Sequence, residues 1–173
     1  MDAFKHQPAS RRKPPQSVGA ALLLVTAFAL ATVAAPASAM RIGAGHSHSF
    51  LIKDDRSLWV WGDNFTGQVG DGTQVERSSP VKLPGVAAIV DAGGGEAHSV
   101  AVRADGSVLA WGLNDRGQVG DGTTSNRALP TPVTGMSGAT RVAVGANHAV
   151  ILKSDGSAWA WGCLLYTSPS PRD

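Results

Sequence analysis

The sequence predicts an all-β protein made of β-propeller blades of antiparallel strands. The ring is incomplete, about two full repeats plus one hairpin, and a signal-peptide helix precedes it. Three observations predict this. A block of residues recurs every 50 positions, from His48 to His98 to His148. Each block holds short apolar runs around a turn pair, Asp105-Gly106 or Asp155-Gly156. No stretch of about ten residues after Met40 carries helical periodicity.

In chain order the leader comes first. Lys5, Arg11, Arg12 and Lys13 form a positive start, and Val18 to Ala35 is an apolar run without a charge. Pro36 breaks it, and Ala37-Ser38-Ala39 offers the small-x-small pattern of a cleavage site. Residues 1–39 are therefore expected to be a signal peptide cut after Ala39. The run is about long enough to span a bilayer, so an uncleaved anchor is the alternative. Arg11-Arg12 raises a twin-arginine route, but Lys13-Pro14-Pro15 lacks the apolar residues such a signal carries. The expected location is secreted, periplasmic or at the cell surface, with membrane contact only through an uncleaved leader.

Residues 40–162 follow as a partial propeller with units at about 40–91, 92–141 and 142–162. Within a unit, His98 to Arg103 and Ser107 to Trp111 read as two strands closed by a primed two-residue turn at Asp105-Gly106. The first unit has Asp55-Arg56 there, and an arginine held at positive φ costs about 1 kcal/mol. Runs such as Phe50-Leu51-Ile52 are apolar on both faces, as in a sheet covered on both sides. Such a unit cannot bury itself alone and must stack on its neighbours.

The identities run further than the hairpin. Trp61, Trp111 and Trp161 each precede a glycine; Gly67-Gln68-Val69-Gly70-Asp71-Gly72-Thr73 recurs as Gly117-Gln118-Val119-Gly120-Asp121-Gly122-Thr123. With Gly95-Glu96-Ala97-His98-Ser99, Asn114 and Pro130, this string resembles the repeat of the regulator of chromosome condensation family. The resemblance covers nearly all of residues 40–162 and implies a propeller, usually of seven blades. His48, His98, His148, Trp61, Trp111, Trp161, Gly67, Gln68, Gly117 and Gln118 form the structural signature.

After Trp161-Gly162 the register is lost. Cys163 to Asp173 contains the only Cys and the only Tyr of the chain, and it resembles a translated sequencing adapter or a disordered tail. The chain is accordingly expected to be an incomplete piece of a larger binding protein.

Composition narrows the chemistry. The net charge of +2 comes from the ends: residues 40–162 hold 10 Lys/Arg against 11 Asp/Glu. A module without a basic stripe is not expected to bind nucleic acid. A single cysteine excludes a disulfide framework and Cys/His zinc clusters. The three spaced histidines lie in separate units and read as structural imidazoles bonding a neighbouring backbone group, so no metal is expected. The glycine loops lack both the calcium spacing and the Lys-Ser/Thr of a phosphate loop, so no cofactor is expected. No nucleophile elbow occurs, and no enzyme is expected. Asn64-Phe65-Thr66 is a glycosylation sequon.

Loop positions and segments that differ between units mark candidate binding loops: His46, Glu96, Phe65 and Arg116, and Glu76, Arg77 and Arg127 within the differing segments Gln74 to Ser79 and Thr124 to Leu129. The expected function is an exported, non-catalytic protein–protein interaction module with an unknown protein partner. The alternative is a fragment of a propeller enzyme or a guanine-nucleotide-exchange-like regulator whose active parts lie in missing blades.

Overall fold

The computed structural model describes residues 40–164; the leader and residues 165–173 lie outside them. Strands β1 (Arg41–Ala44), β2 (His48–Ile52), β3 (Leu58–Gly62) and β4 (Arg77–Lys82) form one antiparallel sheet in chain order. Strands β5 (Ile89–Gly94), β6 (His98–Arg103), β7 (Val108–Gly112) and β8 (Arg127–Pro132) repeat it. The third sheet has β9 (Ala139–Val144), β10 (His148–Lys153) and β11 (Ala158–Gly162). The described residues contain no helix. Residues 83–88 and 133–138 link the sheets, so the unit limits expected at 91/92 and 141/142 fall inside β5 and β9.

The first, second and third sheets stack in order as blades of an incomplete propeller ring, with β1, β5 and β9 as neighbouring innermost strands. Alternation along each strand sends one set of side chains forward and the other back. Phe50, Ile52, Leu58 and Val60 pack on Ala101, Leu109 and Trp111 of the second blade. Val100, Val102, Val108 and Ala110 pack in turn with Ala149, Ile151 and Trp161 of the third. Each such buried Val, Leu, Ile or Phe contributes about 1.5–3 kcal/mol, which makes the two inter-blade cores the main cohesive force.

Two expectations are corrected. The hairpin is not a primed two-residue turn. Arg56 N–H donates to the Lys53 carbonyl at 2.8 Å, and Lys53 N–H donates to Ser57 at 3.1 Å. Only Arg56 has positive φ (58°), as Gly106 (79°) and Gly156 (84°) do in the other blades. That is a three-residue loop ending in a left-handed bulge residue, which places the strain on one position and leaves Asp55 free to accept from Ser57. Second, only the middle blade is covered on both faces. The strands β6 and β7 are buried almost throughout, whereas Leu51 is half-buried and Leu152 is 45% exposed. The outer blades have a neighbour on one side only among the described residues.

Candidate functional site

Antiparallel order places the loops 45–47, 63–76, 95–97, 113–126 and 145–147 along one edge of the stack. All seven candidate binding residues lie in or at the end of these loops, so the fold gathers them on one rim. The opposite edge carries the hairpin turns, with Lys53, Arg56, Arg103 and Lys153.

The long rim loops are rigid for a chemical reason. Asn64 is fully buried; its Nδ2 donates to the Thr73 and Val75 carbonyls at 3.1 and 3.0 Å, and its Oδ1 accepts from Val69 N–H at 2.9 Å. Asn114 makes the same set with Thr123, Ser125 and Val119. The sequon asparagine is thus occupied inside the folded loop and is not an accessible acceptor. Asp71 accepts from Arg77 Nε at 2.6 Å, and Asp121 from Arg127 Nε at 2.6 Å. Burial opposes the charge on both carboxylates, but hydrogen bonds from Thr73 and Arg77, and from Thr123 and Arg127, outweigh it. The Asp121 carboxyl falls to about 2, and that of Asp71 is also lowered.

Signature residues join one blade to the next. Trp111 Nε1 donates to the Gln68 carbonyl at 2.9 Å, and Trp161 Nε1 donates to that of Gln118 at 2.8 Å. The indole lies so close to Gly70 that a Cβ there would sit 2.5 Å from Nε1, so the position must be glycine. Trp111 is fully buried, while Trp161 and Trp61 are half-buried; among the described residues nothing accepts from Trp61.

The histidines differ from one another. His48 Nε2 lies 2.9 Å from Ser99 Oγ, which donates onward to the Gln68 carbonyl at 2.7 Å. A side chain of the next blade therefore holds the ring, beside the His98 backbone. His98 is fully buried with neither ring nitrogen hydrogen-bonded: its Nε2 lacks a partner because Ala149 stands where Ser99 stands one blade earlier, and its Nδ1 is unpaired as that of His48 is. Burial pushes both imidazoles down from 6.5 to about 4, so both are neutral at pH 7. His148 is half-buried on the third blade. Sequence reasoning missed the Ser49, Ser99, Ala149 series, although its break at Ala149 was visible in the repeat alignment.

The remaining rim residues point outward. Phe65 is 75% exposed, and His46, Glu96, Glu76 and Arg116 are exposed. Arg77 and Arg127 are instead tied to Asp71 and Asp121 within their own loops. Arg116 Nη1 lies 3.5 Å from Cys163 Sγ. With those pairs satisfied, Asp63, Glu76, Glu96 and Asp115 face Arg116 as the other rim charges, and the rim is acidic. Chemically it offers an aromatic anchor, carboxylates and backbone groups on a stiff support. No cluster of three or more metal-ligating side chains occurs among the described residues.

The regulator of chromosome condensation (RCC1) repeat model matches residues 55–102 and 105–152, and a second model of the same description matches 41–68 and 89–118. Similar solved structures include Kap60 bound to yeast RCC1 (Prp20), at 27% identity and a TM-score of 0.61 over 70% of this chain and 31% of that one. Human WBSCR16 gives 27% and 0.63 over 70% and 32%. Prp20p from Saccharomyces cerevisiae, described with its binding to Gsp1p and histones, gives 30% and 0.59 over 70% and 32%. No curated protein matches. The chain spans about a third of the length of these solved relatives. With two consecutive repeats matched over more than half its length, the chain belongs to the RCC1 repeat family.

Proposed function

We propose that this chain is an exported, non-catalytic protein–protein interaction module that takes its partner on the loop rim. The observation that carries this reading is Phe65. A large apolar side chain stands 75% exposed at the head of a loop locked beneath it by Asn64 and Asp71. It makes no contribution to the core, and a rigidly presented aromatic is the usual anchor of a binding surface. The acidic residues around it favour a partner segment that combines an apolar side chain with Lys or Arg. The solved relatives described with Kap60, Gsp1p and histones have protein partners, which supports the same class of function. Export rests on the leader ending in Ala37-Ser38-Ala39.

A photo-cross-linking amino acid at position 65, compared with one at Pro84 on the opposite edge, tests the rim in the producing cell. A discrete adduct from 65 and none from 84 supports the reading; equal adducts, or an adduct from 84 alone, would overturn it. Export is tested by N-terminal sequencing of the protein outside the cytoplasm, where Met40 is the expected first residue.

A further inference from the structure

Among the described residues the exposed large apolar side chains fall into two groups. Met40 and Leu164 lie at the two ends, and Ile42, Leu152 and Trp159 lie on strands of the outer blades. Phe65, Val75 and Leu129 remain, at 75%, 60% and 57% exposure. All three border the junction of the first and second blades. Both of these blades are described, so no unpaired end face accounts for the exposure.

The three residues flank one seam. Loop 63–76 of the first blade is stitched to the second: Thr66 Oγ1 donates to the Ala97 carbonyl at 2.9 Å, and Gly72 N–H donates to the Ala128 carbonyl at 2.9 Å. The contact is close. A Cβ at Gly67 would sit 2.6 Å from Ala128 Cα, and one at Gly72 would sit 3.2 Å from Leu129 Cδ2. Phe65 immediately precedes the Thr66 contact, and the Val75 carbonyl accepts from Asn64 Nδ2 at 3.0 Å. Phe65 and Val75 stand on the first-blade side of the seam and Leu129 on the second.

The repeat does not ask for these side chains. The second unit has Asp115 and Ser125 in place of Phe65 and Val75, and the first has Ser79 in place of Leu129. Asn114 clasps the Thr123 and Ser125 carbonyls as Asn64 clasps its own loop, so the fold closes without the apolar groups. Position 76 departs as well. Its equivalent, Asn126, accepts from Asn114 N–H at 2.9 Å through Oδ1, whereas Glu76 is exposed and makes no ion pair among the described residues. Three apolar departures beside a free carboxylate, gathered on one seam, mark an interaction surface.

We propose that the seam between the first and second blades docks a protein segment carrying two apolar side chains and a Lys or Arg. This rests on the rim as the partner surface and narrows that surface to one junction. One apolar side chain packs on Phe65 and Val75, the other packs on Leu129, and the cation pairs with Glu76. Asp63 and Glu76 beside the patch oppose anionic lipid headgroups, which favours a protein segment as the occupant. The second seam offers Asp115 and Ser125 instead and takes no such segment.

Random peptides displayed on phage and selected on the full chain supply the probe. Enriched peptides are expected to combine two apolar residues with Lys or Arg. Their affinity is expected to fall about tenfold with Phe65→Asp, Val75→Ser or Leu129→Ser. Each substitution introduces the residue that the other unit already holds at that position, and circular dichroism checks that the fold is kept. Glu76→Lys weakens the same peptides by a similar factor, and added salt weakens their binding to the wild type. A selection that enriches no apolar-and-basic peptide overturns the proposed partner, while the cross-link from position 65 stands or falls separately. Peptides weakened by Phe65→Asp but not by Leu129→Ser overturn the seam and leave the rim as the binding surface. Peptides indifferent to Phe65→Asp overturn both.

Discussion

Ala149→Ser rebuilds at the second junction what Ser99 builds at the first. Ser99 Oγ accepts from His48 at 2.9 Å and donates to the Gln68 carbonyl at 2.7 Å. At the second junction the Gln118 carbonyl takes only the Trp161 indole, and His98 Nε2 has no partner. A hydroxyl at 149 adds two hydrogen bonds worth about 1 kcal/mol each and removes an orphaned buried nitrogen. Against this stands the desolvation of one more buried polar group, which leaves a net gain of about 1–2 kcal/mol. Ser99→Ala runs the other way and loses about 2–3 kcal/mol, because it orphans His48 as well. With a urea slope of about 2 kcal/mol per molar, the Ala149→Ser midpoint rises by roughly 0.5–1 M. The gain vanishes in a His98→Phe background, which assigns it to the pair. An unchanged or lower midpoint for Ala149→Ser would refute the reasoning.

Three further outcomes are expected. Arg56→Gly relieves the single left-handed non-glycine residue of the first hairpin and raises Tm by about 2–4 °C, for a gain of about 1 kcal/mol; a lower Tm contradicts the turn described. Stability falls as the pH is lowered: His48 and His98 titrate near 4 when folded and near 6.5 when unfolded, so the unfolded state binds more protons between those values. Their contribution is complete above about pH 6.5 and is lost on acidification toward pH 4, at about 1.4 kcal/mol per pH unit for each histidine. Urea midpoints equal at pH 7 and pH 5 would rule this out. Asn64→Ala leaves Val69 N–H and the Thr73 and Val75 carbonyls without their partner, lowers stability by about 2–4 kcal/mol, and abolishes hydrogen-exchange protection at Val69.

The blades were legible because their signals are local. The His48, His98 and His148 spacing, the apolar runs and the Trp-Gly pairs each sit within one unit, and the hairpin strands β2–β3, β6–β7 and β10–β11 lie on them, whereas β4 and β8, which hold Pro80 and Pro130, carry no such signal. What was not legible lies between units or depends on a count of turn residues. Asp-Gly suits a primed turn and a bulged three-residue loop alike, and only the pairing of Lys53 with Ser57 separates them. The Gln68 carbonyl is a backbone group 43 residues from Trp111, so no residue pattern advertises the contact. Arg77 and Arg127 recur at one position of two units, each six residues after Asp71 or Asp121, but they sit in segments whose other residues vary. Their pairing becomes visible only when Asp71 and Asp121 are seen folded back upon them. The rim itself follows from strand direction once the hairpins are placed, which is why the seven loop residues gather on one edge.

The central structural claim is that each blade reads the loop of the blade before it. The most direct test is hydrogen exchange at the indole Nε1–H groups, followed by NMR. The account predicts strong protection for Trp111, intermediate protection for Trp161 and fast exchange for Trp61. Equal exchange at all three, or a protected Trp61 beside an unprotected Trp111, would contradict it.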